Sequence, residues 1–499
     1  DSGDGMQLTG TQFMTSTALA GNDLATFPDF PAEIRAPVGT TFGVSAFQIN
    51  FGARAIKTVG DAPDVLVAMN PAALKVNIGT LRRGGVVVID TGTFNKRNLH
   101  KAGFTENPLE DNTLEGFQVI ELDISKMTLE SVKKFGLSNK DALRCKNMWT
   151  LGLMLWMFSR KRKPVTDWLK QKFAKNMDLA RSNIAALDAG HAFGETAEMA
   201  ATTKRYHIGA VKHEKGTYRT ITGSQAMSWG LVAGAERAGL KIVLGSYPIT
   251  PASPILHTLS GLKDMGVVTF QAEDEIAAIC AAIGASYGGA LGMTSSSGPG
   301  IALKGEALGL AITTELPLVI VNCQRGGPST GLPTKTEQSD LYQAVYGRNG
   351  DAPLPVLSVR SPSDGFEVAI EACRIATKYM TPVIILTDGF IANAAEPWML
   401  PDLDNYKSFP VTHVKEAPEE GFSPVKRDPV TLARNWALPG TKGCEHRIGG
   451  IEKDSVTGHI SYDADNHQIM TDIRANKIQG IAKDIPLQTY EQGDASDSL

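Results

Sequence analysis

The sequence has few cysteines, and none of them is spaced for a shared metal or redox site. Its five cysteines are widely spread and form no C-x-x-C motif. This spacing argues for a reducing cytoplasm and against disulfides. It also argues against an iron–sulfur cluster held by this chain alone, because such clusters need grouped thiolates. Cys280 and Cys373 lie in apolar helical patterns and Cys323 ends an apolar strand, so we expect core packing for all three.

Long apolar runs and an excess of one charge are also absent. No apolar run approaches the length of about 20 residues that spans a bilayer, and no signal peptide is recognisable. The chain carries 49 basic and 53 acidic side chains, a formal charge of −4. This balance gives no reason to expect nucleic acid or an anionic membrane as a partner. We therefore expect a cytoplasmic globular enzyme.

The first part of the chain alternates short apolar strands with helical stretches. The 499 residues are enough for two or three domains. Within residues 1–187, apolar strands are predicted at 65–70, 85–90 and 117–122, with helices between and after them. This alternation predicts a small doubly wound α/β domain. Residues 188–222 are small and polar, which predicts a linker.

A cleaner alternation of strands and helices occupies residues 223–396. The predicted strands are 241–246, 267–274, 291–296, 317–325, 354–361 and 382–390. This order predicts a second doubly wound domain with a parallel sheet. Residues 397–499 are rich in Pro, Gly, Asp and His, and we expect them to form a long irregular arm and a C-terminal linker.

The stretch YPITPASP, residues 247–254, places a threonine between two prolines at the end of a predicted strand. Proline fixes its own φ and pushes the preceding residue toward extended geometry. Pro248 and Pro251 are therefore expected to hold Thr250 in one orientation. Open α/β sheets bind their ligands at the carboxyl ends of strands, so Thr250 is a candidate for ligand contact.

Three acidic residues begin the helix that follows the next predicted strand. Glu273 and Asp274 are explained by the preference of a helix N-terminus for negative charge. Glu275 precedes IAAICAAIGASYGGA, which is apolar nearly all round and indicates burial. A buried carboxylate needs a partner. On the residues alone, a role in ligand binding and a structural role both remain open for Glu275.

Two further groups of residues follow predicted strands. Residues 298–300, Gly-Pro-Gly, could hold a polar ligand through backbone amides, or could be a structural turn. Arg325 follows a strand directly, and its guanidinium suits a carboxylate; the alternative is a salt bridge at the domain surface. Thr334 lies in the constrained loop GLPTKTEQSDL, where ordinary turn chemistry is the alternative to binding.

Two patterns suggest a cofactor or a metal but fit poorly. Gly-Asp-Gly at residues 3–5 resembles the Mg²⁺ and diphosphate motif of thiamine diphosphate enzymes, but Asn22 is too near to complete it. We interpret residues 3–5 as a phosphate- or nucleotide-facing glycine loop at a helix start. Cys444 and three histidines of the arm match no tetrahedral zinc pattern. We therefore predict no metal site in this chain.

The motifs YPITPASP, QAEDEIAAI, MTSSSGPG and NCQRGGPSTGLPTKTEQSDL, in this order and spacing, closely resemble the α subunits of the 2-oxoacid:ferredoxin oxidoreductases. The chain is most similar to the type in which a γ domain is fused ahead of the α domain, typical of 2-oxoglutarate:ferredoxin oxidoreductase. Residues 1–190 resemble the γ domain. Residues 205–470 resemble the α domain that binds the thiamine pyrimidine, with its extension.

The resemblance implies roles for five residues. Glu275 would hydrogen-bond N1′ of the thiamine aminopyrimidine and favour the imino tautomer, whose nitrogen removes the thiazolium C2 proton. Thr250 would face the carboxylate or keto oxygen of the 2-oxoacid, and Arg325 would be its cationic anchor. Tyr247 and Thr334 would complete the wall of the substrate site.

The resemblance also implies a reaction shared with other subunits. 2-Oxoglutarate, coenzyme A and two oxidised ferredoxins would give succinyl-CoA, CO₂ and two reduced ferredoxins, reversibly, as in the tricarboxylic acid cycle or in carbon fixation. A β subunit would carry the diphosphate and Mg²⁺ site and a [4Fe–4S] cluster. The complex would be a dimer of αβ heterodimers, and the γ domain would supply part of the coenzyme A site.

Two alternatives stay open. The same kind of enzyme could act on pyruvate or on several 2-oxoacids, and the chain could instead be a non-catalytic scaffold that binds coenzyme A or a nucleotide. The joint presence of Glu275, Thr250 and Arg325 favours catalysis. The chain departs from the family pattern at Ala252, where serine is common. Many relatives also continue into another α/β domain, so the sequence is either a shortened form or a fragment.

Overall fold

The computed structural model describes residues 4–33, 36–196, 199 and 203–487. The chain divides into two compact units, and each takes residues from separate parts of the sequence. The first unit consists of Asp1–Gly223, Gly331–Thr336 and Gly389–Pro401. The second unit consists of Ser224–Thr330, Glu337–Asp388 and Asp402–Leu499. The domain limits expected from the sequence stay predictions.

The strands and helices are numbered in chain order. The strands are β1 (Asp23–Asp29), β2 (Ala46–Gly52), β3 (Val65–Ala68), β4 (Val86–Asp90), β5 (Gln118–Leu122), β6 (Tyr218–Thr222), β7 (Ile242–Ser246), β8 (Val268–Gln271), β9 (Leu291–Ser296), β10 (Leu318–Gln324), β11 (Val356–Ser358), β12 (Pro382–Asp388) and β13 (Ala395–Met399). The helices are α1 (Met6–Leu19), α2 (Pro71–Asn77), α3 (Lys96–Lys101), α4 (Ile124–Val132), α5 (Asn139–Leu143), α6 (Lys146–Met157), α7 (Lys163–Lys172), α8 (Met177–Gly194), α9 (Gly223–Arg237), α10 (Ser253–Ser260), α11 (Glu275–Tyr287), α12 (Gly298–Leu303), α13 (Gly305–Thr313), α14 (Leu341–Tyr346), α15 (Asp364–Tyr379), α16 (Gly389–Asn393) and α17 (Ala464–Ile481).

The first unit contains the predicted parallel sheet, in the order β3-β4-β5. All three predicted strands are present. Two antiparallel pairs, β1–β2 and β6–β13, were not predicted. The predicted linker, residues 188–222, has regular structure at both ends, because α8 continues to Gly194 and Tyr218–Thr222 forms β6; the linker itself stays a prediction. A single strand such as β6 gives a weak pattern, since pairing with the distant β13 stabilises it.

The core of the first unit is built around α6, in which every residue is buried. Helices α6 and α8 approach each other through glycines. A Cβ atom at Gly152 would lie 2.0 Å from the Leu187 carbonyl oxygen, and one at Gly190 would lie 1.9 Å from that of Trp149. Only glycine permits this approach of two backbones. The crossing therefore depends on both residues.

The second unit contains a six-stranded sheet in the order β11-β12-β10-β9-β7-β8, with parallel neighbours throughout. This confirms the predicted doubly wound sheet. Every residue of β10 and of β12 is buried. Strands that helices cover on both faces are nearly continuous apolar runs, which is why the sequence located them well.

The apolar stretch after β9 forms two short helices, α12 and α13, and Lys304 is the residue between them. The apolar pattern continues across this break. Periodicity alone therefore gave no sign that the chain interrupts its helix at Lys304.

The cysteine predictions hold for Cys323 and Cys373, which are buried, and fail for Cys280, which is exposed. Burial raises the pKa of the Cys373 thiol to about 12, as expected of an inert core thiol. Cys280 lies on a face of α11 that also exposes Ile276. The apolar composition of α11 predicted burial all round, but other residues of the described chain cover only part of the helix.

The C-terminal arm is mostly irregular between Asp402 and Asp463, as predicted, but it ends in the helix α17. Two of the four buried residues of α17 are polar, Asn466 and Lys477, beside Met470 and Ile481. The helix therefore has too few apolar positions for its period to be recognised. The Asp463 side chain caps it by accepting a hydrogen bond from the backbone N–H of Asn466 at 2.7 Å.

A buried carboxylate ties the arm to the rest of the second unit. Glu315 is 5% exposed and forms ion pairs with Lys477 of α17 and Arg427 of the arm. Burial alone would raise the pKa of Glu315, but Lys477 and Arg427 outweigh it and hold that pKa below its ordinary value. Arg434 adds a donated hydrogen bond to the Thr314 carbonyl at 3.1 Å. We call Glu315, Arg427 and Lys477 the arm anchor.

Within the described ranges, no helix is both long and apolar enough to cross a membrane. In the same residues, no group of three or more His, Cys, Asp or Glu side chains is placed to hold a metal ion.

Candidate functional site

Four neighbouring strands of the second unit bring the predicted site residues to one side of the sheet. Strands β10, β9, β7 and β8 are adjacent and parallel, so their carboxyl ends lie along the same side. Arg325 follows β10 directly, and Thr250 follows β7 after a short turn. Glu275 begins α11, which follows the edge strand β8. This is the side at which open α/β sheets bind ligands.

Glu275 is the first residue of α11 and is buried, with 8% of its surface exposed. The preceding Asp274 is the N-cap and accepts a hydrogen bond from the Ala277 N–H at 2.7 Å. Gly300 lies against the Glu275 side chain. A Cβ atom there would be 2.9 Å from Glu275 Cγ and 2.1 Å from Ser296 Oγ. Glycine is therefore required between Glu275 and the end of β9.

Arg325 is 6% exposed and holds its position through main-chain carbonyls. Its Nη1 donates to the Thr250 carbonyl at 2.7 Å, and its Nη2 donates to the Thr330 carbonyl at 3.0 Å. Burial lowers the pKa of Arg325, and the nearby negative charge of Glu275 opposes that effect. The alternative interpretation, a surface salt bridge, is wrong, because Arg325 is buried and pairs with no carboxylate of the described chain.

The guanidinium of Arg325 has capacity for another ligand. Its Nε is buried and has no hydrogen-bond partner within the residues that the structure describes. A buried cation whose only partners are neutral carbonyls is costly. A carboxylate brought by a ligand would supply both the missing charge and the missing acceptor.

Thr250 is joined to Arg325, but through its backbone. The peptide between Thr250 and Pro251 is cis, and the Thr250 carbonyl accepts the hydrogen bond from Arg325. The Thr250 side chain, for which ligand contact was predicted, is partly buried. Its predicted contact with a 2-oxoacid stays a prediction. Ala252, the departure from the family pattern, is buried at the start of α10.

The other two predicted wall residues are not shown to join this group. Tyr247 is 37% exposed after the end of β7. Thr334 belongs to the first unit, where its hydroxyl donates to the Pro31 carbonyl at 2.9 Å. The neighbouring Lys335 forms an ion pair with Asp29 at 2.6 Å. The roles of Tyr247 and Thr334 in binding substrate stay predictions.

A cavity of about 480 Å³ opens beside Arg325. It is lined by Gly298, Pro299, Ala302, Arg325, Gly327, Pro328, Ser329, Glu337, Ser339, Asp340 and Gln343. Its size lies in the range of small-molecule sites, about 300–1,000 Å³. Gly298 and Pro299 of the predicted Gly-Pro-Gly turn line this cavity together with the predicted arginine, but residues 298–300 are the first residues of α12 and not a separate turn.

Buried hydroxyls at the end of β9 are also without partners. Ser296 Oγ and Ser297 Oγ make no hydrogen bond to any described residue. Their neighbour Ser295 is satisfied, with its Oγ 3.1 Å from that of Ser246. Most buried polar atoms in native proteins are paired. The unpaired hydroxyls beside Glu275 are therefore suited to a polar ligand.

Lys304 is a residue of this region that the sequence analysis missed. It is fully buried, and its Nζ donates to the backbone carbonyl of Glu275 at 2.6 Å. A single lysine in the apolar stretch IALKGEALGL, just after the Gly-Pro-Gly turn, was the available signal. A core lysine is rare unless it has a partner, so a lysine in this apolar stretch indicated a specific buried contact.

The predicted glycine loop at residues 3–5 lies in the first unit, and Gly3 is outside the described residues. Gly5 is left-handed, with φ 70°, and precedes α1. The Asp4 carboxylate accepts a hydrogen bond from Asn70 Nδ2 at 3.0 Å. Nearby, the fully buried Asp90 forms an ion pair with Lys146 at 3.0 Å. The loop does begin a helix, and its proposed contact with a phosphate or nucleotide stays a prediction.

Comparisons with known proteins point to one family. Residues 233–462 match the family model described as pyruvate flavodoxin/ferredoxin oxidoreductase, thiamine diphosphate-binding. Residues 1–193 match the family model described as pyruvate ferredoxin/flavodoxin oxidoreductase.

Two curated relatives cover most of the chain. The chain is 55% identical over 481 residues to the 2-oxoglutarate oxidoreductase subunit KorA of Mycobacterium tuberculosis, covering 96% of this chain and 73% of the relative. It is 33% identical over 382 residues to subunit alpha of 2-oxoacid:ferredoxin oxidoreductase 1 of Aeropyrum pernix, covering 74% of this chain and 57% of that relative.

A solved structure matches nearly the whole chain. The 2-oxoglutarate:ferredoxin oxidoreductase from Magnetococcus marinus, with 2-oxoglutarate, coenzyme A and succinyl-CoA bound, superposes with a TM-score of 0.81. The match is 30% identical and covers 98% of this chain and 79% of that chain.

Proposed function

The chain belongs to the family of 2-oxoacid:ferredoxin oxidoreductase α subunits, and from this premise we propose its reaction in detail. It forms the active site of a 2-oxoglutarate:ferredoxin oxidoreductase together with a partner subunit. The enzyme converts 2-oxoglutarate and coenzyme A into succinyl-CoA and CO₂, and passes two electrons to ferredoxin one at a time. Relatives named for 2-oxoglutarate, one at 55% identity, support this substrate.

Arg325 is the observation that carries the proposal. Its guanidinium is buried at the ligand-binding edge of the sheet, is fixed by two carbonyls and retains an unpaired Nε. A 2-oxoacid presents a carboxylate next to its keto group. Arg325 neutralises that carboxylate and orients the keto carbon, and because the guanidinium is buried, a charge-assisted hydrogen bond to it is strong.

The residues around Glu275 fit the aminopyrimidine of thiamine. The buried carboxyl of Glu275 and the unpaired Ser296 hydroxyl lie together at the end of β9, with Gly300 packed closely against both, and these two polar groups are suited to the ring of the cofactor. Thiamine diphosphate, when bound, supplies the carbon nucleophile for the keto group and the electron sink for loss of CO₂. Glu275 holds or moves a proton at its Oε atoms toward the ring nitrogen of the cofactor.

The rest of the machinery is proposed for other parts of the complex. A β subunit carries Mg²⁺, the cofactor diphosphate and a [4Fe–4S] cluster, and two αβ pairs assemble. The first unit contributes to the coenzyme A site. The five unpaired cysteines agree with a reducing cytoplasm.

A second candidate substrate is pyruvate. Both matching family models carry pyruvate in their descriptions, and Arg325 would bind the 2-oxoacid carboxylate of either compound. The two acids differ in the distal carboxylate of 2-oxoglutarate. The choice therefore depends on groups that meet the side chain of the substrate.

The test is an anaerobic assay of the complex formed by this chain with its β subunit. Thiamine diphosphate and iron–sulfur content are measured first, and then reduction of a one-electron dye with coenzyme A and either 2-oxoglutarate or pyruvate. We expect reduction with 2-oxoglutarate and much slower reduction with pyruvate. Faster reduction with pyruvate would show that pyruvate, and not 2-oxoglutarate, is the substrate. No reduction by a complex that contains thiamine diphosphate and the iron–sulfur cluster would favour the scaffold alternative.

A further inference from the structure

Lys304 carries a charge into the core for which its direct contacts give no counterion. It is 0% exposed and lies between α12 and α13. Its Nζ has three protons to donate, and the structure gives it one acceptor, the Glu275 carbonyl. No carboxylate in the described ranges forms an ion pair with it. The helical hydrogen bonds of α11 begin one residue earlier, where the Asp274 carbonyl accepts from the Ala278 N–H at 3.1 Å, so the start of the helix does not depend on the lysine.

The location of Lys304 is unfavourable for stability on two grounds. Removing an ammonium group from water costs several kcal/mol unless it is paired. The Nζ also lies at the N-terminus of α11, where the helix dipole disfavours positive charge. The negative charges of Glu275 and Asp274 offset part of these costs. A core lysine retained for stability would not be placed there.

The segment that carries Lys304 contacts Glu275 on two sides. Gly300 lies against the Glu275 side chain, and Lys304, one turn further on, binds the Glu275 main chain. The segment therefore sets both the position of the carboxyl group and the charge beside it. A shift of the ammonium group would therefore change the position of the Glu275 backbone and the electrostatic potential at its carboxyl group.

We propose that Lys304 is a positioning residue for Glu275, whose buried ammonium fixes the Glu275 backbone and balances the charge of its carboxyl group during proton transfer. The inference rests on the proposed role of Glu275 and extends it to a residue that touches neither substrate nor cofactor. It explains why an ammonium is kept in the core at a cost.

The charge of Lys304 is set to change at mildly alkaline pH. Burial lowers the pKa of Lys304 to about 8, against the opposing effect of Glu275, Asp274 and Cys280. Arg325 also interacts electrostatically with Glu275, and its guanidinium stays protonated in this range. Loss of the Lys304 proton would therefore leave the Glu275 carboxyl without its nearby balancing charge, and turnover is expected to fall above about pH 8.

The same pKa gives the expected effect on stability. In the folded chain Lys304 loses its proton near pH 8, whereas its ordinary value is 10.5. The unfolded chain thus binds more protons in this window, and stability rises with pH through it. Below the window the buried charge is a cost. Lys304→Met, which keeps the length of the side chain and removes the charge, should leave the melting temperature at neutral pH unchanged or higher.

The test compares Lys304→Met and Lys304→Arg with wild type in the assembled complex, and uses the exposed Lys263→Met as the matched control. The readouts are melting temperature, the affinity for thiamine diphosphate by calorimetry, and kcat and KM across pH. We expect Lys304→Met to lose on the order of tenfold or more in kcat with little change in the KM for 2-oxoglutarate. Its thiamine diphosphate affinity should fall severalfold. Lys304→Arg should recover part of kcat and lose the alkaline decline, because arginine keeps its proton.

Two results would overturn the inference. One is a Lys304→Met complex with lower melting temperature but normal kcat per folded molecule, which would assign a structural role. The other is a folded Lys304→Met complex with unchanged thiamine diphosphate affinity and pH profile. If Lys304→Met does not fold, the pH profile of Lys304→Arg decides. The affinity measurement needs no turnover, so it still reports on Lys304 if the complex proves inactive and the proposed function fails.

Discussion

Glu275 and Glu315 are both buried carboxylates of the second unit, but their surroundings differ. Glu315 has two cations in direct ion pairs, Lys477 and Arg427. Glu275 has no ion pair within the described chain; its nearest cations, Lys304 and Arg325, bind main-chain carbonyls instead. A fully paired charge is typical of a structural contact, whereas an incompletely paired charge at a sheet edge is typical of a site that awaits a ligand. The pattern of ion pairing therefore indicates a structural role for Glu315 and a role in ligand binding or catalysis for Glu275.

The largest expected effect comes from removing the acid of the incompletely paired group. Glu275→Gln keeps the shape of the side chain and abolishes its proton exchange. We expect kcat for 2-oxoglutarate-dependent dye reduction to fall by about 10²–10⁴-fold, the usual contribution of a positioned acid or base. The melting temperature and the binding of the partner subunit should stay close to wild type. Turnover near the wild-type rate would remove Glu275 from the mechanism.

The matching substitution in the arm anchor should act on stability instead. Glu315→Gln leaves Lys477 and Arg427 buried without their counterion, which costs about 3–5 kcal/mol. The measurement is urea unfolding of the complex, with limited proteolysis to detect release of the arm. Glu306→Gln, an exposed change on α13, is the control. A Glu315→Gln protein as stable as the control would contradict the assigned role of the anchor.

Acid pH should break the arm anchor in the wild type. The cations hold the pKa of Glu315 below its ordinary value of 4.5 despite burial. A depressed folded pKa gives stability that is fully present above the ordinary value and is lost as pH falls through the folded value. The urea midpoint of the wild type should therefore decline below about pH 4.5. Glu315→Gln should start lower and decline less steeply, and equal slopes would argue against the ion pairs as the cause.

A smaller and different effect is expected for Arg325→Lys. Lysine keeps the charge, but it lacks the planar fork that reaches the Thr250 and Thr330 carbonyls together. We expect the KM for 2-oxoglutarate to rise by about tenfold or more, with a smaller change in kcat. Arg360→Lys, at a side chain with 87% exposure, is the control. An unchanged KM would mean that another group anchors the substrate carboxylate.

The parallel sheets and most residues of the candidate site could be predicted from the sequence. Buried strands are continuous apolar runs, and the residues that follow them lie at one edge by geometry alone. Glu275, Arg325 and Thr250 were therefore recognisable as a group. Their motifs also carried the family resemblance, which the comparisons support.

The features that were missed depend on contacts between distant parts of the chain. The role of the Thr250 carbonyl follows from the position of Arg325, and the burial of Lys304 follows from a break between two helices whose apolar pattern is continuous. The exposure of Cys280 reflects how much of α11 the chain covers. No local pattern contains this information, because each feature is set by tertiary packing.

The most direct test of the comparison is release of CO₂ from carboxyl-labelled 2-oxoglutarate in a single turnover. Wild type, Glu275→Gln and Glu315→Gln complexes are compared at equal content of folded protein and thiamine diphosphate. We predict rapid release by wild type and by Glu315→Gln, and release slowed by orders of magnitude in Glu275→Gln. Equal release by all three, or selective loss in Glu315→Gln, would contradict the assignment of chemistry to Glu275 and of structure to Glu315.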